Sequence, residues 1–124
     1  MICADTSSMA RYLDGAAGRD VDLVFEAVNA GSLVLAPPTV TELLSYSIVR
    51  PMLTPLLRNA VVLPVASGFW ERAGLTRRSI RQQGLKAKLA DVLIAQSCID
   101  AGAGLITADS DFRHFVPLGL TLAV

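Results

Sequence analysis

Apolar residues along the chain fall into short continuous runs separated by longer stretches of helical period. Met1 to Ala4 opens the sequence as a short apolar run, which predicts a buried strand. Asp5-Thr6-Ser7-Ser8 follows, rich in helix-capping types, and leads into a helix through Met9 to Leu13. Asp20 is placed as the N-cap of the next helix. There Val21, Val24, Phe25 and Val28 repeat at i, i+3, i+4 and i+7, and Gly31 stands where the helix ends. Leu33 to Ala36 reads as a second buried strand, stopped by Pro37-Pro38. Helices are expected over Thr39 to Val49 and Pro51 to Arg58. Val61 to Val65 forms a weaker edge strand, because Pro64 cannot donate to a ladder. Phe69 to Gln83, closed by Gly84, and Leu89 to Ala101, closed by Gly102 or Gly104, are the last two helices. Leu105 to Thr107 and Leu120 to Val124 are the last strands.

Strands made of unbroken apolar runs are buried on both faces, and helices lie between them. This is the pattern of an α/β layered domain with a mostly parallel sheet. At 124 residues the chain is expected to be a single domain spanning 1–124. No internal repeat or linker interrupts it. Ligands of such sheets bind beyond the carboxyl ends of the strands, so the residues there carry the functional question.

Three expected strand ends carry an acid: Asp5, Glu42 in the helix after the second strand, and Asp109 with Asp111. Each has a structural explanation. Asp5 can cap its helix. Thr39 and Glu42 fit a capping box, with Thr39 as N-cap and Glu42 at N3. Asp109-Ser110-Asp111 fits an Asx-turn. Asp91 is harder to explain so simply, although a capping role stays open if its helix starts late, near residue 90. It sits in the most apolar helix, flanked by apolar residues, and only Lys88 stands one turn away as a cation. An unpaired buried carboxylate costs several kcal/mol or is neutralised. Four acids at one sheet edge repel one another unless a hard cation such as Mg²⁺ or Mn²⁺ neutralises them. The chemistry that fits is metal-assisted phosphodiester hydrolysis.

Four segments then occur in order: Asp5-Thr6-Ser7, Glu42, Asp91-Val92-Leu93-Ile94-Ala95 and Thr107-Ala108-Asp109-Ser110-Asp111-Phe112. In these the chain resembles the PIN-domain nucleases, and among them the VapC-type toxins of prokaryotic toxin–antitoxin pairs. The resemblance spans the whole chain. It implies a PIN-like α/β/α sandwich, a Mg²⁺- or Mn²⁺-dependent endoribonuclease, and a homodimer. It also implies a VapB-like antitoxin whose C-terminal segment blocks the acidic pocket. By the same resemblance Asp5 and Asp91 are the metal ligands, Glu42 positions water or accepts a proton, and Asp109 is the fourth acid. Thr6, Ser7 and Thr107 accompany them, and Asp111 substitutes for Asp109 or caps a turn.

Composition adds a complication. Hydrophobic residues make up 52% and charged residues 18%, against ~25% charged in an average domain. That excludes disorder and leaves apolar surface for a partner. No apolar run reaches ~20 residues, so no membrane span is expected. The N-terminus lacks the pattern of a secretory signal. Cys3 and Cys98 form no CxxC pair, which points to a reducing cytoplasm. Eleven Lys+Arg balance eleven Asp+Glu. Taken alone, zero net charge argues against a nucleic-acid partner. Yet Arg72, Arg77, Arg78, Arg81, Lys86 and Lys88 fall in one window that holds no acid. With the acid cluster nearby, Arg77, Arg78, Arg81, Lys86 and Lys88 are the expected phosphate contacts to an RNA substrate.

Phe69 and Trp70 suit base stacking, although helical spacing with Ala73 and Ile80 places them first in the core or a dimer face. His114, the only histidine, has no nucleophile motif beside it, and both cysteines read as small buried hydrophobes. Two enzyme-like alternatives fail on single residues. A receiver domain needs paired acids after the first strand and a Lys after a late strand, and a toprim-like site needs Glu in place of Asp5. The remaining alternative is a catalytically inactive PIN-fold module that binds RNA or protein.

Overall fold

The computed structural model describes residues 1–123. Five strands, β1 (Ile2–Ala4), β2 (Leu33–Leu35), β3 (Val61–Val62), β4 (Gly104–Ile106) and β5 (Thr121–Leu122), make one sheet in the order β3-β2-β1-β4-β5. Every neighbouring pair is parallel, so the expected mostly parallel sheet is wholly so. Cys3 of β1 lies opposite Val34 of β2 and Leu105 of β4.

Side chains alternate across the strands and build two cores. Cys3, Val34 and Leu105 pack on one face against α5 (Phe69–Gln82), α6 (Leu89–Ala101) and the 3₁₀ segment Ser110–Leu118. Ala4, Leu35 and Ile106 pack on the other against α1 (Thr6–Leu13), α2 (Arg19–Ala30), α3 (Pro37–Ser45) and α4 (Leu53–Asn59). The architecture is therefore the α/β/α sandwich expected. The chain builds β1, β2 and β3 outward to one side, then crosses to place β4 and β5 on the other. The order reverses beside β1, where such sheets open a crevice at their carboxyl edge.

Several local expectations are corrected. Helix α3 starts at Pro37, not Thr39, because a proline needs no N–H in the first turn and its fixed φ suits a helix start. Thr39 is thus inside the helix and fully buried, and the Thr39–Glu42 capping box does not form. The helix ends at Ser45, short of Val49, and α4 starts at Leu53 rather than Pro51. The third strand is only Val61–Val62, with Leu63 N–H still donating to Leu35 O at 2.8 Å before Pro64 ends the ladder. The last strand is Thr121–Leu122, and Val124 lies outside the described residues.

Asp20 does not cap α2; Gly18 holds that position. Asp20 is buried in the first turn, where Arg11 Nε donates to it at 3.0 Å and Ser8 Oγ at 2.9 Å. This clamp rolls α2 so that Val21, Val24 and Ala27 face the core. Phe25 and Val28, expected on the same stripe, are left exposed. Gly18, at φ 154°, passes so close to the clamp that a Cβ would stand 2.7 Å from Arg11 Nη2 and 2.8 Å from Asp20 Oδ1.

Burial alone pushes the Asp20 carboxyl up, but the hydrogen bonds from Arg11 and Ser8 outweigh it and hold the group below the usual range. The ionised pair therefore stabilises the fold above the unfolded-state value, and that stability is lost as pH falls through the lowered folded value. Asp20→Ala is expected to cost about 1–3 kcal/mol by urea denaturation at pH 7, because it strands a buried hydroxyl and an arginine. The difference should shrink as pH falls below the usual carboxylate range.

Candidate active site

Strand direction determines which residues meet. β1 ends at Ala4 and delivers Asp5, whose N–H donates to Ile106 O at 3.0 Å, tying it to the end of β4. β4 then delivers Thr107 and Asp109. β2 runs through Ala36 into α3, which carries Glu42 one turn in. Helix α6 closes on Gly102 just before β4 begins, so its first turn, with Asp91, lies at the opposite, carboxyl edge. Asp5, Glu42, Asp91 and Asp109 are thus brought to one edge of the sheet.

Asp5 is 3% exposed and accepts three hydrogen bonds. The Ser8 N–H reaches Oδ1 at 2.9 Å, which makes Asp5 the N-cap of α1 as expected. Ser7 Oγ and Thr107 Oγ1 reach Oδ2 at 3.0 and 2.7 Å. A carboxylate accepts about four hydrogen bonds, so one lone-pair direction on Oδ1 stays open. Thr107 Oγ1 in turn accepts the Asp109 N–H at 3.0 Å, and Asp109 Oδ1 accepts the Asp111 N–H at 2.9 Å. Asp109 therefore does form the Asx-type cap, and Asp111 takes part through its main chain. Glu42, freed from the capping box, accepts from Thr6 Oγ1 at 2.6 Å, with Thr39 Oγ1 3.5 Å behind Thr6. Thr39 was hidden from sequence reasoning by its resemblance to an N-cap; the Pro37-Pro38 pair was the signal that placed it inside the helix.

Of the four, Asp91 alone has no such donor among the described residues. Lys88 is the N-cap residue of α6 and makes no side-chain cap. Partial burial raises the Asp91 carboxyl most, the negative charge of Asp109 adds to it, Lys88 opposes, and Asp5 and Glu42 push further, bringing it to about 6. The fold thus makes the Asp91 anion unfavourable, as the sequence pattern implied, although Asp91 is half-buried rather than sealed in the core. Among the described residues no three His, Cys, Asp or Glu side chains stand close enough together to hold a metal ion. Asp5, Glu42 and Asp109 are each turned toward their own donors. The donor set is all oxygen and electrically frustrated, which suits a hard divalent cation in chemistry, and it is not preassembled around one.

The basic residues divide. Arg72 is committed to Asp100 through Nε at 3.1 Å and Nη2 at 2.6 Å. Arg77 donates to Ala87 O at 2.9 Å and braces the loop before α6. Arg78, Arg81, Lys86 and Lys88 are exposed and make no ion pair among the described residues. Beside Glu42 an apolar groove of about 550 Å³ opens between the starts of α3, α5 and α6. Phe69 is 3% exposed and belongs to the core as expected, but Trp70 is 63% exposed and lines this groove, so the core placement of Trp70 is corrected.

No family model matches the chain, and no curated protein matches it. Solved structures do. A chain of VapBC2 from Rickettsia felis, bound to a DNA fragment from their promoter, is similar with a TM-score of 0.78 at 20% identity, over 98% of this chain and 97% of that one. FitAcB from Neisseria gonorrhoeae gives 0.71 at 15% identity, over 98% and 96%. FitAB bound to an IR36 DNA fragment gives 0.73 at 17%, over 98% and 93%. At such identities the likeness establishes the architecture.

A raised Asp91 means that the folded chain binds an extra proton between the unfolded value near 4 and about 6. Stability should therefore fall as pH rises through that window. Asp91→Asn is expected to remove the fall and to gain about 1–2 kcal/mol at pH 7 in metal-free buffer, after allowance for solvent screening. Urea titrations of both proteins from pH 4 to 8 check this, and parallel pH profiles would contradict it.

Proposed function

We propose that this chain is a Mg²⁺- or Mn²⁺-dependent endoribonuclease, the toxin of a toxin–antitoxin pair. The observation that carries the reading is the delivery of Asp5, Glu42, Asp91 and Asp109 to one sheet edge, with Asp91 destabilised as an anion first by partial burial and then by the neighbouring acids. A binding surface gains nothing from that repulsion, whereas a cation site requires it. The VapBC and FitAB neighbours support the same setting.

Asp5, through its open lone pair, and Asp91, free of hydrogen bonds, are the residues that would hold the cation. When bound, the cation supplies Lewis-acid activation of water and neutralises phosphate charge. Asp109, anchored on Thr107 and the Asp111 N–H, adds negative charge beside them. Glu42 accepts the proton of the attacking water, and the Thr6 hydroxyl fixes which of its oxygens stays free. Thr107 orients Asp5 as the outer partner of a ligand. Arg78, Arg81, Lys86 and Lys88 hold phosphates along the strand without reading sequence, while Arg77 braces the loop that carries two of them.

Protein partners follow from the apolar surplus. The segment between α3 and α4 exposes Ile48, Val49 and Met52, and Arg50 pins it by a bidentate pair to Asp14 at 2.6 and 3.0 Å. An apolar cavity of about 540 Å³ opens nearby between α2 and α4. Exposed apolar surface of this extent suits a VapB-like antitoxin and a second copy of the chain. Among the described residues no helix is long and apolar enough to cross a membrane. With both cysteines free and buried, we place the action in the cytoplasm.

RNA digestion with and without Mg²⁺ or Mn²⁺ tests the reading. Cleavage should need the metal and fall to background in Asp5→Ala and Asp91→Asn. Undiminished cleavage by both, with contaminating nucleases excluded, would sink the reading, and RNA binding with no cleavage products would favour the inactive binding module instead. Thr107→Val should keep the fold and lower metal affinity or activity by about 10–100-fold, as loss of an outer partner does. Calorimetric titration with Mn²⁺ reads the affinity directly.

A further inference from the structure

The groove beside Glu42 has an unusual lining. Pro37, Pro38, Val65, Leu89 and Leu93 supply apolar walls, and Glu42 is its single ionisable residue. Its size, about 550 Å³, lies within the range of small-ligand pockets. Trp70 stands on its rim with 63% of its surface exposed. Phe69 meets that ring edge-on, with centroids 5.0 Å apart and planes at 77°, which fixes the indole without covering it.

We infer that this groove is a nucleobase subsite: an unpaired base of the RNA stacks on Trp70 while the adjoining phosphate reaches the carboxylate edge. The inference rests on the nuclease reading for the identity of the polymer, but not for the stacking itself. Charge decides between occupants. The lining offers no cation, so a phosphate is not the group that enters. Lys88 stands immediately before Leu89 of the lining, and Arg78 and Arg81 lie further off, about two and a half and three turns along the helix that begins at Phe69. A flat apolar ring inside, phosphates outside on those cations, and Glu42 at the junction match the alternation of base and backbone in a single strand. Stacking on an aromatic side chain tolerates any base, so the subsite selects for unpaired RNA rather than for a sequence.

Trp70 is the only tryptophan of the chain, so tryptophan emission, excited beyond the absorption of the two tyrosines, reports on this site alone. The experiment titrates the whole protein with single-stranded hexauridylate, an abasic ribose-phosphate hexamer and a blunt RNA duplex, in EDTA to prevent hydrolysis. Binding is followed in parallel by anisotropy of end-labelled RNA. Hexauridylate should quench the fluorescence, and the other two should not. Trp70→Ala should weaken hexauridylate binding by about tenfold, and Trp70→Phe should keep most of the affinity. Circular dichroism of both variants should stay that of the parent, since the ring is exposed. RNA binding by anisotropy without quenching, or unchanged affinity in Trp70→Ala, would overturn the subsite. So would fluorescence that answers to protein dilution instead of RNA, together with loss of self-association in Trp70→Ala; that result would assign the face to a second copy. Quenching without metal-dependent cleavage would leave the subsite standing and remove the nuclease reading. Cleavage without quenching would do the reverse.

Discussion

Four carboxylates share the carboxyl edge of a parallel sheet, and their mutual repulsion is the constraint that the surrounding structure answers. Three of them are given donors. Asp5 takes a backbone N–H and two hydroxyls, Glu42 takes the Thr6 hydroxyl, and Asp109 takes the Asp111 N–H. The starts of α1, α3 and α6 lie at this same edge, and the positive end of each helix dipole favours an anion there. Asp91 is raised first by its partial burial and then by the charge of Asp109, with Lys88 opposing, so it is the acid least favoured as an anion.

The same economy explains the zero net charge. Asp14, Asp20 and Asp100 are each matched by an arginine, and those three pairs serve the scaffold. Among the described residues the edge acids form no ion pair, although Lys88 acts on Asp91 through its charge. The other unpaired cations of that segment are Arg78, Arg81 and Lys86. A molecule neutral in sum is therefore strongly polarised across one region. Net charge misleads here because it averages over charges that never meet, whereas a polyanion with a divalent cation would encounter the two populations separately.

Much of this was legible in the residues. Continuous apolar runs marked the buried strands, and glycines at Gly31 and Gly102 marked helix ends through their left-handed backbone. The oddity of an acid in Leu89-Ala90-Asp91-Val92 pointed to Asp91 before any coordinates. What was hidden depended on contacts between segments distant in the chain. Glu42 looked like half of a capping box because Thr39 stands three residues before it; only packing against α1 reveals that its partner is Thr6. Asp20 looked like a cap because nothing local announces Arg11 and Ser8. Phe25 fitted the apolar stripe of α2 until the Asp20 clamp turned the helix. Phe69 and Trp70 are adjacent and chemically alike, and only the three-dimensional path separates a core ring from a surface one.

Strand β1 and the residue that follows it bind these features together. Cys3 enters the core shared with α5 and α6, Ala4 enters the core shared with α1 to α4, and Asp5 emerges at the site. Side chains in a strand alternate with a period of two, so a slip of one residue would exchange the two cores and turn Asp5 away from Thr107. Register is held on both flanks, by Val34 and Leu105 opposite Cys3, and again by the Asp5 N–H on Ile106 O. Neither core can shift without moving the strand that carries the most buried acid of the site. The basic helix α5 packs in one core and the Asp20 clamp anchors helices of the other. Both therefore act on Asp5 through the same short strand, and the geometry of the site is a property of the whole sandwich rather than of the loops that display it.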